Sequence, residues 1–593
     1  MKICVIGAGP NGLTTIKQLL DEKHDVVCFE KNTDIGGIWH RHDGDSDEMK
    51  VYDDLILTIS MKLMSFSDFI AEDRVFATRE GYRQYLESYA EKFALKKHIV
   101  FNTGVDDVKK LASGKWQVTT TVNGQSKQQT FDAVALCTGP FRKPNRDVKH
   151  LEAFKGEVVH SSRYRNNRAF RGKRVLVIGL AESGADILRQ ISDVSAECTL
   201  ALRSYPFLLP RLFNGTTATD ALGLRCHHYE IYVRATKRPF PLKSIFGDAA
   251  ARLAFVHAAQ RCGAAQASPS DFSALFNVLG GGTRAAPAEL PMLPRVQFEN
   301  LMEPPKNRLG QTMYPLKLDI DTPVSDEVYA FINEWNRKSH KYLGCYAPRA
   351  IACKNISFVP NILNRKIQVN DTGISDIQGN TVYFTNGEAK EVDCIVLCTG
   401  FKEDFSVLSN VTIEGNNVRN LYKHAFHPDH DGLALIGFVR PLTGGIPICA
   451  ELQARYFALV CSGKHRLPED VRQRIKDEKA WEEFFMSVTP HHFEAIPSNM
   501  LWCDSIAKEI GILPSETDLI NNPELLGKLW FCSFNQLSYR LVGPHNMGES
   551  AMKEIMNESL PGDRTVIPLA FSILSMMPPN FHPTDHRFPG AFV

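Results

Sequence analysis

The sequence predicts an α/β chain in which one βαβ nucleotide-binding unit is set inside another, with an alanine-rich helical insertion and a C-terminal helical extension. Three observations predict it. Two stretches, at the N-terminus and from residue 174, read strand, glycine turn, helix, strand. Two apolar strands, at 131–140 and 392–401, both close on Thr-Gly and lie before and after the second of these stretches. The chain, at 593 residues and 44% hydrophobic, is long enough to bury more than one core.

The first unit is "KICVIGAGPNGLTTIKQLLDEKHDVVCFEK", with strands at 3–6 and 25–30 around a helix at 10–21. Gly7, Gly9 and Gly12 fit G-x-G-x-x-G. In such a Rossmann-like turn the first glycine makes the bend, the second lets backbone approach a pyrophosphate, and the third lets helix pack on strand. Glu30 closes the second strand where a ribose diol is bound, and its charge would repel a 2′-phosphate. FAD or NAD is therefore expected here. "DIGGIWH" adds Gly36 and Gly37 ahead of Ile38 and Trp39, a glycine pair typical where an adenine dinucleotide continues toward an isoalloxazine.

The second unit, "GKRVLVIGLAESGADILRQ", places a strand at 174–178, a turn from Gly179 to Gly184, then a helix. The middle glycine is replaced by Ala181, whose methyl should push the pyrophosphate out slightly. Ser183 offers a hydroxyl at a helix N-terminus that already favours anions. The next strand ends in Arg203 and Ser204, and a guanidinium suits a 2′-phosphate, so NADPH is preferred over NADH. With Thr138-Gly139 and Thr399-Gly400 closing the flanking strands, the layout brings two dinucleotides together across a cleft. The domains expected are a first part of the FAD domain at 1–155, an NADPH domain at 156–345 carrying an insertion at 206–311, a second FAD part at 346–465, and the extension at 466–593.

Composition narrows the class further. Lys plus Arg total 68 against 67 acids, so the net charge of +1 gives no field to gather nucleic acid. The apolar run at 566–577 is broken by Pro568 and is far shorter than the roughly 20 residues of a membrane span. The 14 cysteines are scattered, with no CxxC pair, as in a reducing cytosol, and a cytoplasmic protein is expected. Residues 40–100 hold no cysteine, which removes the redox pair a disulfide reductase needs near its flavin. The histidine groups His227-His228, His427–His430 and His491-His492 lack a third ligand at set spacing, so no metal is expected.

The stretch "FKGEVVHSSRY" resembles the F-x-G-x-x-x-H-x-x-x-(F/Y) signature of flavin-containing monooxygenases, matched at Phe154, Gly156, His160 and Tyr164. "YDDLILTISMKLMSFSDF", "LALIGFVRP", "ELQARYFALVCSGKHRLP" and "YRLVGP" are similar to further family segments, in family order. The resemblance implies an enzyme in which NADPH reduces FAD, oxygen adds at flavin C4a to give a hydroperoxide, and a nucleophilic amine or sulfide of a small molecule takes the distal oxygen. It implies FAD contacts at Pro10, Asn11, Lys31, Gly37, Ile38, Trp39, Val105 and Gln453, and NADPH contacts at Gly179, Ser183, Gly184, Ala185 and Asp186. Tyr164-Arg165 stands where Baeyer–Villiger enzymes have Trp-Pro, which favours heteroatom oxygenation. His160 is read as a structural residue rather than a base. The signature itself is read as the hinge between domains.

The match fails in two places. Where much of the family has Thr-Asn beside the flavin, this chain has Leu57-Thr58 followed by Ile59-Ser60, and a hydroxyl from Thr58 or Ser60 is the expected substitute. Residues 206–311 fit poorly and read as helices between Pro/Gly loops, either a structural insertion or a lid at the substrate entrance. The alternatives kept open are an N-hydroxylase for a small polar amine or amino acid, a Baeyer–Villiger oxygenase, and a flavin-bound module without catalysis. A homo-oligomer is compatible with all of them.

Overall fold

The computed structural model describes residues 1–40, 51–71, 76–122, 124–213, 217–218, 220, 225, 325–343, 352–441, 444–485, 495–496, 498–531 and 534–557. The alanine-rich part of the insertion, the paired histidines at 227–228 and 491–492, and the apolar run at 566–577 lie outside the described residues.

After the exposed Lys2, the N-terminal strand Lys2–Ile6 is apolar throughout because it is covered on both faces, as a central parallel strand must be. It pairs in parallel with Asp25–Phe29 on one side and Ala133–Leu136 on the other. Ile99–Val100 and Leu433–Leu435 complete a five-stranded parallel sheet at its two edges. Between the first two strands runs helix Pro10–Asp21, opened by Gly9 at the N-cap and Pro10 at the first helical position, where its missing N–H costs nothing. Leu13, Ile16 and Leu19 are fully buried on it, each worth about 1.5–3 kcal/mol of apolar transfer.

A second five-stranded parallel sheet has the order Ile367–Asn370, Glu197–Ala201, Arg174–Ile178, Cys394–Leu397, Glu157–His160. Its helix Glu182–Ser192 follows the central strand just as Pro10–Asp21 follows Lys2–Ile6. The two units share more than a turn. In each, an edge strand leads into a three-stranded antiparallel meander, Gly104–Lys110 to Gln125–Phe131 in the first and Ile374–Gln378 to Ala389–Glu391 in the second. Each meander then returns to the sheet through the strand that ends in Cys-Thr-Gly.

This pairing moves a boundary. Strands Ile367–Asn370 and Cys394–Leu397 belong to the second sheet, so by strand membership that unit runs on past residue 345, and the chain rejoins the first sheet only at Leu433–Leu435. The Thr-Gly strand at 392–401 is thus the second unit's counterpart of 131–140, not the first unit's continuation.

Described segments after residue 465 are built into the first unit's core. Helix Ile446–Cys461 packs along Pro10–Asp21 and against Asn499–Glu509, and Trp502, Ile506, Phe534 and Tyr539 share one apolar cluster with Ile3 and Leu13. A buried ionic knot locks this arrangement. Arg540 donates to Glu451 Oε1 at 2.7 Å, Asp68 Oδ2 at 3.0 Å and Ser67 Oγ at 2.7 Å, and Lys17 reaches the same Asp68.

Candidate functional site

Between the two units lies one cavity of ≈ 1010 Å³, lined from both glycine turns. Its first-unit wall begins at Gly7, whose φ of 97° is the left-handed bend that a side chain would resist. Gly9 and Gly37 face each other so closely that a Cβ on Gly37 would stand 3.0 Å from the Gly9 Cα. Gly12 is not in the lining. It lets the helix approach the strand, since a Cβ there would meet the Gly7 carbonyl oxygen at 1.8 Å.

Glu30 is buried, and its carboxylate is held by the backbone N–H groups of Ala8 at 2.6 Å and Asn32 at 2.8 Å. It lines the cavity with Lys31, Ile38, Trp39, Thr58, Val105, Thr138 and Gly139. Pro10 and Asn11 reach the same wall, and the Asn11 side chain donates to Gly437 O at 3.2 Å.

The second-unit wall brings Gly179, Ser183, Gly184, Arg203, Ser204, Thr399 and Gly400 into the same cavity. Ala181 caps helix Glu182–Ser192 at φ −141° and ψ −162°, an extended conformation open to any residue, so the alanine adds its methyl to the lining without backbone strain. The helix starts at Glu182, ahead of Gly184, earlier than the sequence pattern suggested.

Besides Gly12, four predicted residues stand behind the lining: Ala185, Gln453, Ser60 and Asp186. Ala185 is packed in the core, and the buried Gln453 amide accepts from Gly437 N at 2.9 Å and donates to Lys423 O at 2.8 Å, backing the first glycine turn. Ser60 has its hydroxyl turned to Leu63 N at the start of a short helix, while its N–H donates to Asp220 Oδ2 at 2.6 Å. Of the two candidate hydroxyl residues, Thr58 is the one in the cavity wall.

Asp186 is a junction between the units. It accepts from the Tyr52 hydroxyl, from Arg211 Nη2 at 3.2 Å and from Asn355 Nδ2 at 2.6 Å, all buried. Burial and the adjacent Asp186 charge push the Tyr52 hydroxyl well up, so it stays a proton donor. Tyr52 opens the loop that carries Thr58.

The 154–164 signature does its work in the same place. Its strand Glu157–His160 forms the edge of the second sheet, more than a linker. His160 is buried, and Nδ1 accepts from Ser162 N at 3.1 Å, which leaves Nε2 to donate to Gly400 O at 3.0 Å. Tyr164 sets its ring against Tyr52 at 5.8 Å, and Arg165 O accepts from Asp53 N at 3.0 Å. One motif therefore positions both the Thr399-Gly400 turn and the Thr58 loop. Sequence reasoning reached these residues as a signature, gave no role to Tyr52 and Glu182 although both lie in motif-bearing segments, and missed Arg211, Asp220 and Lys354, whose segments carry no motif. Burial pushes the Cys137 and Cys398 thiols, one residue ahead of each Thr-Gly turn, up to about 12. They are packing groups.

Among the described residues no group of three His, Cys, Asp or Glu converges on one point, and no helix is long and apolar enough to cross a membrane.

A family model described as FMO-like, flavin-binding monooxygenase-like, matches residues 1–234 and 326–579. The unmatched 235–325 fall largely in the stretch that fits the family signature poorly. A 4-hydroxybenzoate brominase (decarboxylating) of Marinomonas mediterranea is 33% identical over 94% of this chain and 92% of its own length. Flavin-containing monooxygenase 5 of Cavia porcellus is 28% identical over 92% of this chain and 89% of its own. The S-allyl-L-cysteine S-oxygenase of Allium sativum shares the fold, with a TM-score of 0.54 and 19% identity over 97% of this chain and 98% of that one.

Proposed function

We infer the activity from one premise: this chain belongs to the flavin-binding monooxygenase-like family, and it is a flavoprotein that works with FAD and NADPH. The residues present fit both groups. A dinucleotide needs a backbone cradle that a Cβ would fill, which Gly9 and Gly37 provide, and an acceptor for its ribose, which Glu30 provides already held by two N–H groups. The second cradle ends in exposed Arg203 and Ser204, a cation and a hydroxyl suited to a 2′-phosphate.

When bound, the flavin accepts hydride from NADPH and activates molecular oxygen, chemistry that no side chain supplies. The chain's own part is positioning and exclusion of water. Trp39, Leu57, Ile59 and Met64 give the first-unit wall an apolar face, and Thr58 places one hydroxyl within it. Tyr52, Asp186 and Tyr164 fix that wall against the second unit, so the two nucleotide turns keep one separation.

The observation that carries this reading is the single cavity shared by both glycine turns, with Thr58 in its wall. In it one oxygen atom goes to a soft nucleophile and the other leaves as water, with NADPH supplying two electrons. Two nucleophiles are supported. The 33% relative favours a halide ion, whose oxidised form brominates an aromatic acid with loss of carbon dioxide. The Tyr164-Arg165 ending favours the nitrogen or sulfur of a small molecule.

The flavin-loaded protein is given NADPH, oxygen and, separately, bromide with 4-hydroxybenzoate, trimethylamine, or thioanisole, and products are read by mass spectrometry against NADPH consumed. A bromophenol, an N-oxide or a sulfoxide in proportion to NADPH is expected from at least one. NADPH consumed wholly to hydrogen peroxide with all three would sink the reading.

A further inference from the structure

Lys354 follows the strand Ala352–Cys353 and belongs to no motif. Its side chain is 5% exposed, it lines the cavity, and its ammonium has no hydrogen-bond partner among the described residues. A buried cation whose ammonium makes no hydrogen bond is expensive, by several kcal/mol even after relaxation, and the two carboxyls that feel its charge, Glu182 and Asp220, make none to it. Such a group is retained where something else supplies the anion.

Its surroundings are fixed. The Lys354 N–H donates to Glu182 Oε1 at 2.8 Å, in the first turn of the second unit's helix, and its neighbour Asn355 is held by Asp186. Two further polar atoms share the space unpartnered, Glu182 Oε2 and Asp220 Oδ1. Both carboxyls feel the Lys354 charge, and burial pushes both upward in spite of it. A carboxyl shifted in this direction takes up a proton more readily, and once protonated it donates a hydrogen bond to an anion instead of repelling it.

The position separates this ammonium from the nucleotide's adenosine end. Arg203 and Ser204, beyond strand Glu197–Ala201, already offer a 2′-phosphate its cation. Lys354 instead stands between the helix start at Glu182 and the 52–60 loop, to which Asp220 is tied through Ser60 N. That loop carries Thr58.

We propose that Lys354 is the anion-binding subsite of this cavity and holds the carboxylate of a small substrate beside the Thr58 loop. The proposal rests on the monooxygenase reading only in calling the ligand a substrate. Carboxylate binding itself requires no turnover.

Calorimetric titration of the FAD-loaded protein without NADPH tests it, using 4-hydroxybenzoate, its neutral isostere 4-hydroxybenzamide, and NADP+. The wild type binds the acid about tenfold or more tighter than the amide, the equivalent of one charge-assisted hydrogen bond. Lys354→Met abolishes that ratio, Lys354→Arg restores most of it, and NADP+ affinity stays within about twofold. The ratio is internal to each variant, so a partly folded preparation still reports it. An acid-to-amide ratio unchanged in Lys354→Met overturns the proposal. So does a tenfold loss of NADP+ affinity in its place, which would assign the ammonium to a nucleotide phosphate. Bromide binding tighter than the acid and lost with the lysine would assign it to a halide, and overturns it too. Oxygenation or its failure bears on none of these titrations.

Discussion

The two turns share their first and last glycines in sequence but differ in how much room those glycines leave, and this sets up a paired experiment. A methyl added at Gly12 would stand 1.8 Å from the Gly7 carbonyl oxygen and 2.9 Å from its carbon. Ordinary contact begins near 3.4 Å, so the helix and the turn must separate by about 1.6 Å. The obstacle is backbone, and Gly7 cannot yield: its N–H is bonded to Phe29 O and its φ is already 97°. At Gly184 the same methyl meets Gly179 O at 2.9 Å and Cys398 Cβ at 3.3 Å, a shortfall of about 0.5 Å at most. Overpacking of that smaller kind costs about 1–3 kcal/mol, whereas a shift three times larger displaces the cradle itself. Gly12→Ala is therefore expected to purify without flavin, judged by the absorbance ratio at 450 and 280 nm. Gly184→Ala should keep its flavin and show only a weaker NADPH KM, by roughly tenfold for each 1.4 kcal/mol lost. Gly12→Ala protein with stoichiometric FAD would refute the argument, because it would show that the turn can open by more than an ångström and still bind.

Arg203→Gln should raise the KM for NADPH by about tenfold, the low end for a charge-assisted bond because the guanidinium is exposed, and leave that for NADH unchanged. Thr58→Ala should lower product formed per NADPH by about threefold to tenfold with hydrogen peroxide making up the difference, if its hydroxyl is used at the reacting end; unchanged coupling removes it from the site. Arg540→Met strips Glu451 and Asp68 of a buried cation, a loss of about 3–5 kcal/mol, and should lower the thermal transition by several degrees or abolish soluble yield. Burial holds the Glu182 carboxyl above its ordinary value, so the folded state binds its proton more tightly than the unfolded one. Wild-type stability from this group is full below the usual carboxylate range and is lost as pH rises through the raised value. Glu182→Gln keeps the acceptor for Lys354 N and cannot ionise, so its melting temperature should exceed the wild type's by more at pH 8 than at pH 5. A constant difference contradicts the assignment.

What the sequence revealed follows from which interactions are local. Helix Pro10–Asp21 was placed to the residue because its signals lie inside the segment: a glycine turn, Pro10 at the first position, and apolar residues at helical spacing. The turn at 179–184 was found the same way, and Ala181 fits it without backbone strain, since the backbone there is extended. The unit boundary was not legible. Two strands ending in Cys-Thr-Gly read alike along the chain, and only pairing decides that Ala133–Leu136 sits beside Lys2–Ile6 while Cys394–Leu397 sits beside Arg174–Ile178. Pairing here joins residues 130 apart in the first sheet and 219 apart in the second, and no local pattern encodes it.

The site follows the same division. Cofactor-facing glycines and Glu30 were visible because a nucleotide is held by backbone shape, and backbone shape leaves a glycine spacing behind. Side chains around the Thr58 loop leave no such spacing: Thr58 and Lys354 reach the cavity wall from separate segments, and Tyr52, Asp186 and Arg211 stand behind it. The signature motif sits between the two cases. His160 is a fixed-spacing residue, yet its effect is to hold Gly400 O, and Tyr164 acts on Tyr52 from across the cleft. A motif with no reactive group of its own can therefore mark an oxygenase, because in this fold the recurring requirement is the separation of two nucleotide turns. A residue that holds the carboxylate of one particular substrate meets no such common requirement, so no spacing in the sequence points to Lys354.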